Sequence, residues 1–172
     1  MKYTKTYRTL ANFGRELLEK KTLAEGLPII SIYAKNVIGA QRCSIFIYDA
    51  KDKNLWTTIS DGVEKILIPS DKGLVGYTLK TRKPVVANEA YAHPEFLAEV
   101  DKETGFITKN VITSPIFSSK REIIGVLQLL NKDDDFDDED MKFMIFFSHY
   151  ISGFLELTNI FAKEKKKLHK ET

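Results

Sequence analysis

The chain has 172 residues, with 26 lysines and arginines against 24 aspartates and glutamates, so its formal net charge is only +2. A charge this close to zero gives no reason to expect a nucleic-acid or membrane partner. The hydrophobic fraction of 43% and the aromatic fraction of 11% suit one folded domain and exclude a disordered or low-complexity chain. The single cysteine, Cys43, excludes an internal disulfide framework and a multi-cysteine metal site, and fits a cytoplasmic protein best.

Two helices are predicted before any strand. Apolar residues recur at intervals of three, four and seven over the first twenty positions, and this helix is expected to end near Gly26. Pro28 then suits the first turn of a second, more buried helix, which is expected to end at Gly39. No apolar signal-peptide core precedes them, and no run approaches the roughly 18 apolar residues that a membrane span needs.

The middle of the chain changes to the period of two that is typical of strands. Cys43, Ile45 and Ile47 alternate with Ser44, Phe46 and Tyr48, which predicts a strand over 42–48. Further strands are predicted over 55–60, 66–68 and 84–87, with a short helix over 74–81 between the last two.

The segment 88–109 has no clear periodicity, and its aromatic residues favour an ordered cover with a helical turn near 96–101. The last two strands are predicted over 110–117 and 123–130, followed by one long helix from about Asp138 to the lysine-rich end. Helices at both ends of a mainly antiparallel sheet of five or six strands indicate the α+β class.

The order of short motifs resembles a known family. In chain order they are RCSIFIYD, DG, IPSDKGLVGY, NEAYAHPEF, TGF, NVITSPI, IIGVLQLLNK and FDDED. Together, over about residues 24–157, they resemble a GAF domain, and most closely the cyclic-nucleotide-binding GAF domains of phosphodiesterases and adenylyl cyclases. The resemblance implies terminal helices packed on one face of the sheet and a ligand pocket, covered by a helix and a loop, on the other.

The same resemblance implies the residues of a small-molecule site, with cyclic GMP or cyclic AMP as the candidate regulatory ligand. The backbone at Leu74 and Val75 would face the phosphate, as the N-terminus of a helix favours an anion. Ser44 and Asp61 would bind the base edge, and Ser60 stands where some relatives carry an aromatic residue that stacks on the base. The remaining candidates are Tyr91, Thr104 and Thr108 from the cover, and Gln128, where phosphodiesterase relatives often have Glu.

The family's nucleotide-binding signature is an Asn-Lys pair, a spacer, Phe, three residues and then Asp-Glu. Asn131, Lys132, Phe136 and Asp140 match it, while Met141 replaces the final Glu and the spacer is short. In the relatives the Lys and Asp are thought to pair and hold the pocket closed, so the match supports the fold more than any one ligand. Three alternatives stay open: a cyclic nucleotide, another small molecule, or a degenerate pocket.

Other chemistries find less support. Asp133, Asp135 and Asp137 have calcium-loop spacing, but Asp138 stands where that loop needs Gly and Met144 where it needs Glu, so the acidic run is interpreted as a helix start. His93 is a candidate ligand contact in the cover, and His149 a remote candidate for haem. No metal site and no catalytic residues are predicted.

The last helix has two apolar faces, and two faces need two partners. One face is predicted to pack on the sheet. The other is expected to meet the N-terminal helix in part. Its remainder either is covered within the chain or packs on a second subunit in a helical dimer, with Phe147, Tyr150, Phe154, Leu157 and Phe161 as the interface. The predicted domains are an N-terminal helix (1–23), a GAF domain (24–157), and the end of the last helix with a charged connector or tail (158–172).

The leading hypothesis is therefore a non-catalytic regulatory GAF module that senses a small molecule. It would signal through a helical homodimer to an output domain outside this chain. The alternative is a GAF-fold dimerisation or interaction module with a degenerate pocket. An enzyme has no support, because no nucleophile and base or metal-ligand set is evident.

Overall fold

The computed structural model describes residues 2–57 and 66–168, with side chains over 7–57 and 67–159. Within these ranges the elements, in chain order, are α1 (Lys2–Leu18), α2 (Leu23–Ile38), β1 (Ala40–Asp49), β2 (Asn54–Thr57), β3 (Ile66–Pro69), α3 (Gly73–Thr81), β4 (Val85–Ala87), a 3-10 turn (Ala90–Ala92), α4 (Ala98–Thr104), β5 (Val111–Phe117), β6 (Ile123–Lys132) and α5 (Asp138–Leu168). This is the predicted α+β class. Ser60 and Asp61 lie outside the described residues, as does the side chain of Phe161.

All six strands form one sheet in the order β3-β2-β1-β6-β5-β4, and each pair of neighbours is antiparallel. The alternation along β1 separates two faces. Cys43, Ile45 and Ile47 join the main core with α1, α2 and α5, whereas Phe46 packs with Val75 of α3 on the opposite face. Terminal helices thus cover one face of the sheet, and the other face is left to α3 and the segment before β5.

The break between the first two helices differs from the prediction. The first helix ends at Leu18 rather than near Gly26, and Thr22 caps α2 by accepting a hydrogen bond from the backbone of Glu25, whose carboxylate in turn accepts from Thr22. Gly26 therefore lies inside α2, where a Cβ would collide with the ring of Phe154. Pro28 lies deeper in the helix than its first turn.

The long helix α5 buries a different set of side chains from the one predicted. Phe147 is fully buried and contacts Phe13 and Tyr33, with ring centroids 5.4 and 5.3 Å apart. Phe147 is therefore wrong as a residue of the outer face, because the chain's own α1 and α2 already surround it. Phe154 packs against α2, while Tyr150 and Leu157 are 40% and 57% exposed.

The cover predicted over 88–109 is ordered. It contains the 3-10 turn and α4, which begins two residues later than the predicted helical turn and ends at Gly105 in the left-handed region (φ 72°). Across the described part of the chain, no helix combines the length and the apolar character that a membrane span requires.

Candidate ligand pocket

A small cavity of about 70 Å³ lies between the sheet and the segment that contains α4. Its floor comes from β1, β5 and β6, one wall from the start of α3, and its roof from α4 and the residues that follow it. The lining side chains are a mixture of apolar and hydrogen-bonding groups, which is the usual composition of a small-molecule site.

The N-terminus of α3 forms one wall of this cavity. Its capping residue, Lys72, makes no side-chain capping bond, and Gly73, Leu74 and Val75 all line the cavity. The first N–H groups of a helix have no acceptor within the helix and carry the positive end of its dipole. The helix is tied to the sheet by paired hydroxyls of Thr78 and Thr113, 2.5 Å apart. This wall therefore favours an anionic or strongly accepting group.

Polar side chains on the sheet face this wall. Ser44 on β1 lies opposite Gln128 on β6, and Gln128 lies opposite Thr113 on β5. Ser44 and Gln128 line the cavity, and the side-chain amide of Gln128 makes no hydrogen bond to another described residue. The amide of Gln128 thus has a donor and an acceptor available for a ligand.

Asp101 of α4 holds the roof in place. Its buried carboxylate accepts hydrogen bonds from the Tyr91 hydroxyl (2.6 Å), the Thr108 backbone N–H (2.8 Å) and the Thr108 hydroxyl (2.8 Å). The bond to Asp101 raises the pKa of the Tyr91 hydroxyl above its ordinary value, since ionised Tyr91 would lose its role as donor. The network joins the 3-10 turn, α4 and the residue that leads into β5.

Arg42 and Phe106 close the other end of the cavity. The Arg42 guanidinium lies 3.6 Å from the centroid of the Phe106 ring, and both residues line the space. This cation–π contact orients the guanidinium while its in-plane N–H groups stay available to acceptors.

The structure brings six of the predicted ligand residues together around the cavity: Ser44, Leu74, Val75, Thr104, Thr108 and Gln128. Tyr91 does not line it; the residue is 57% exposed, bonds Asp101 and packs edge-on against Phe96, which does line the cavity. Sequence reasoning missed Asp101, Arg42 and Phe106. Arg42 and Phe106 stood within the quoted motifs RCSIFIYD and TGF, whereas Asp101 stood in a charged stretch with no distinguishing signal.

The four signature residues lie behind the cover rather than in the cavity. Lys132 Nζ lies 2.6 Å from Asp140 Oδ2, and this bond raises the pKa of Lys132 above its ordinary value. Asn131, held in the left-handed region (φ 58°), accepts from the Lys109 N–H and donates to the Ile107 carbonyl. The side-chain amide of Asn88 accepts the Phe136 N–H and donates to the Phe136 carbonyl. These contacts connect the end of the cover to the start of α5.

The two histidines weighed as ligands lie elsewhere. His93 packs edge-on against Tyr77, outside the cavity, and its ring nitrogen accepts the Glu95 N–H. His149 belongs to α5, and its ring stacks on Phe117 at the end of β5. Within the described residues, no three His, Cys, Asp or Glu side chains cluster in a way that could hold a metal ion.

The family model described as "GAF domain" matches residues 23–154. The chain belongs to the GAF domain family. Among solved structures it is similar to the GAF domain of a phosphoenolpyruvate-protein phosphotransferase from Acinetobacter, with a TM-score of 0.78 and 20% identity over 91% of this chain and 96% of that one. A second, from Coxiella burnetii, gives 0.80 and 17% over the same shares. At these identities the likeness confirms the fold alone.

Two curated relatives extend the comparison. The chain is 28% identical over 153 residues to the dual 3',5'-cyclic-AMP and -GMP phosphodiesterase 11A of Takifugu rubripes, which is 80% of this chain and 17% of that protein. It is 30% identical over 116 residues to the probable 3',5'-cyclic phosphodiesterase pde-5 of Caenorhabditis elegans, at 59% and 16%. The chain thus spans about a sixth of the length of each, and its homology is to their regulatory GAF regions.

Proposed function

We propose that this GAF domain is a non-catalytic regulatory sensor that binds a cyclic nucleotide between the sheet and the α4 cover. Its bound state would be passed through α5 to an output domain in a longer protein, with residues 158–172 as the connector. The single observation that carries the proposal is the cavity wall made by the start of α3. Unpaired N–H groups face a cavity that also holds Ser44 and Gln128.

The chemistry of the cavity matches the parts of a cyclic nucleotide. Its one phosphate is a monoanion, and the start of α3 and Arg42 both favour negative charge. The acidic side chain in the lining, Asp101, already accepts three hydrogen bonds from the protein, so it acts as a structural anchor for the cover. The side-chain amide of Gln128 is available to the base or the sugar, whereas the Thr104 hydroxyl already bonds the Val100 carbonyl and the Phe106 N–H.

The size of the cavity sets the mechanism. Sites for small-molecule ligands usually enclose about 300–1,000 Å³. This is several times the 70 Å³ of the cavity described here. Binding therefore requires the cover to move outward and then to close over the ligand. Phe106 and α4 are the parts that must yield, because the sheet on the opposite side is fixed by its ladder. A ligand shifts the output only if it favours one arrangement of cover and helix over the other.

We expect the wild-type domain to bind cyclic GMP or cyclic AMP in calorimetric titration, and Gln128→Leu to bind the preferred nucleotide about five- to tenfold more weakly. Leucine keeps the bulk of the side chain and removes one ligand hydrogen bond, which is worth about 1 kcal/mol. The fold should be unaffected, since Gln128 has no partner to lose in the described part of the chain.

Gln41→Leu is the matched control. Gln41 is exposed on the same sheet, does not line the cavity, and makes one long bond of 3.4 Å to Asn131. This variant should bind as the wild type does. Absence of heat with both nucleotides at high micromolar concentration would remove the nucleotide proposal, and equal losses in the two variants would remove Gln128 from the site.

A second candidate function, dimerisation with a degenerate pocket, is favoured by the outer face of α5. Phe146, Tyr150 and Leu157 share this face at helical spacing and are 48%, 40% and 57% exposed. Together they form an apolar surface of the kind that marks protein contacts. In this version the homodimer is itself the function, and the small cavity stays closed.

We expect light scattering to give twice the chain mass for the wild type and the chain mass for Leu157→Glu, with unchanged circular dichroism. A charge at this exposed position opposes burial in an interface but not folding. Phe154→Glu is unsuitable, because Phe154 packs against Gly26 within the chain. Lys142→Gln, at an exposed position of the same helix, should remain dimeric. A monomeric wild type would exclude this candidate.

A further inference from the structure

A second concave site lies on the α5 side of the molecule, away from the ligand pocket. It is an open groove of about 550 Å³ between the β5–β6 turn, the C-terminal end of α3 and α5. This volume is within the usual range for small-molecule sites. The groove is lined by Arg82, Phe117, Ser118, Ser119, Arg121, His149, Ser152, Gly153 and Glu156.

The groove is lined by two arginines, and no carboxylate of the described chain forms a salt bridge with either of them. Arg82 lies 5.0 Å over the Phe117 ring and donates one bond to the Arg121 carbonyl, which leaves most of its N–H groups available. The one carboxylate of the lining, Glu156, accepts the N–H and the hydroxyl of Ser119. Glu156 therefore bonds the serine turn rather than an arginine, and the two arginines leave the lining with a net positive charge.

Both arginines occupy backbone positions that favour glycine. Arg82 (φ 59°) and Arg121 (φ 60°) are in the left-handed region, which is unfavourable for most residues other than glycine. The chain does use glycine at the equivalent C-caps of α2 and α4, at Gly39 and Gly105. The C-cap of α3 and the β5–β6 turn instead carry arginine, and both arginines face one groove.

A third locally unfavourable residue lines the same groove. Gly153 lies within α5, where glycine is less favourable than alanine, and a Cβ there would meet nothing within 4 Å. No packing within the described chain requires a glycine at this position. Residues that break local preference without a structural reason tend to mark functional sites.

We propose that this groove binds the phosphate group of a small phosphorylated ligand, with Arg82 and Arg121 as its charged contacts and Gly153 as its open floor. Guanidinium groups match the geometry of phosphate oxygens and bind them in bidentate fashion. The hydroxyl of Ser118, which accepts the Lys120 and Glu122 N–H groups, keeps its own proton as a neutral donor at the edge. The carboxylate of Glu156 on one wall disfavours an extended polyanion such as RNA. A ligand held here would contact α5 directly.

The test is a titration of the whole chain with inorganic phosphate and pyrophosphate, followed by thermal unfolding and by calorimetry. Chloride and acetate, added as sodium salts at equal ionic strength, are the reference anions. We expect phosphate or pyrophosphate at ten times Kd to raise Tm by about 3–5 °C. Acetate and chloride should not. Arg121→Gly should weaken binding at least fivefold, because it removes one charged contact. It should raise Tm in buffer without phosphate, because glycine adopts the left-handed backbone without strain. Gly153→Ala should also weaken binding, because its methyl group changes the shape of the groove floor. It should also raise Tm, because alanine has the higher helix propensity.

Lys53→Gly is the matched control. Lys53 (φ 52°) has the same backbone conformation and charge but lies in the β1–β2 turn, outside the groove. It should stabilise the fold likewise and leave phosphate affinity unchanged. The proposal is overturned if phosphate acts no more strongly than chloride, or if Lys53→Gly and Arg121→Gly weaken binding equally. A carboxylate response equal to that of phosphate would overturn the assignment to phosphate.

Discussion

Gly125→Ala is expected to lower the free energy of unfolding by about 3 kcal/mol or more, or to prevent folding altogether. Gly125 lies in β6 between Ile47 of β1 and Ile116 of β5. A Cβ at this position would collide with the backbone carbonyl oxygen of Phe46. A flexible side chain can swing away from such a contact, but the backbone of a central strand cannot do so without breaking its ladder.

Urea denaturation followed by circular dichroism measures this loss, and Gly153→Ala provides the comparison. The same substitution in α5 meets open space, so it should raise stability by about 0.5–1 kcal/mol through helix propensity. The two variants make the same chemical change with effects of opposite sign. A loss under 1 kcal/mol in Gly125→Ala would show that β1 and β6 do not approach each other as closely as described.

The sheet could be predicted from the sequence because each of its faces has a distinct character. Along β1, Cys43, Ile45 and Ile47 enter the helical core, and Ser44 enters the cavity on the opposite face. A shift by one residue would reverse every one of these side chains, so the alternation determines both the register and the position of the site. Gln128 was implied by the resemblance to GAF domains rather than by alternation, and it pairs with Ser44 across β1 and β6.

Contacts between elements were not predictable in the same way. The heptad on α5 predicted a contact with the N-terminal helix, but not that α1 and α2 together enclose Phe147 completely. Thr22 and Glu25 form a capping box that a local sequence pattern can indicate. The apolar periodicity instead led to a first helix predicted to end near Gly26. Asp101 carries no local mark, because its three hydrogen bonds come from segments on both sides of α4.

Asp140→Asn is expected to lower the free energy of unfolding by about 2 kcal/mol at neutral pH. The side chains of Lys132 and Asp140 are only 19% and 11% exposed, so this pair is more than a surface contact. The Asp137 N–H donates a hydrogen bond to the Asp140 carboxylate at 3.0 Å, and asparagine keeps an oxygen that can accept it. The substitution therefore removes the ion pair and leaves the helix cap in place. A double-mutant cycle with Lys132→Met should give a coupling of about 1–2 kcal/mol.

The pH dependence of this cycle identifies the groups involved. The bond to Asp140 raises the pKa of Lys132 above its ordinary 10.5, so its stabilisation is complete below pH 10.5 and is lost as the pH rises through the folded-state pKa. Asp137 behaves oppositely: the Asp140 N–H lowers its pKa below 3.8, so its contribution is present above that pH and is lost in stronger acid. The deficit of Asp140→Asn should therefore be constant near neutrality and shrink at strongly alkaline pH. A deficit that stays unchanged at high pH would assign the loss to the cap rather than to Lys132.

The contacts of residues 131–140 join the cover to α5. The cycle therefore also measures how firmly the cover is attached to the helix that is proposed to carry its signal.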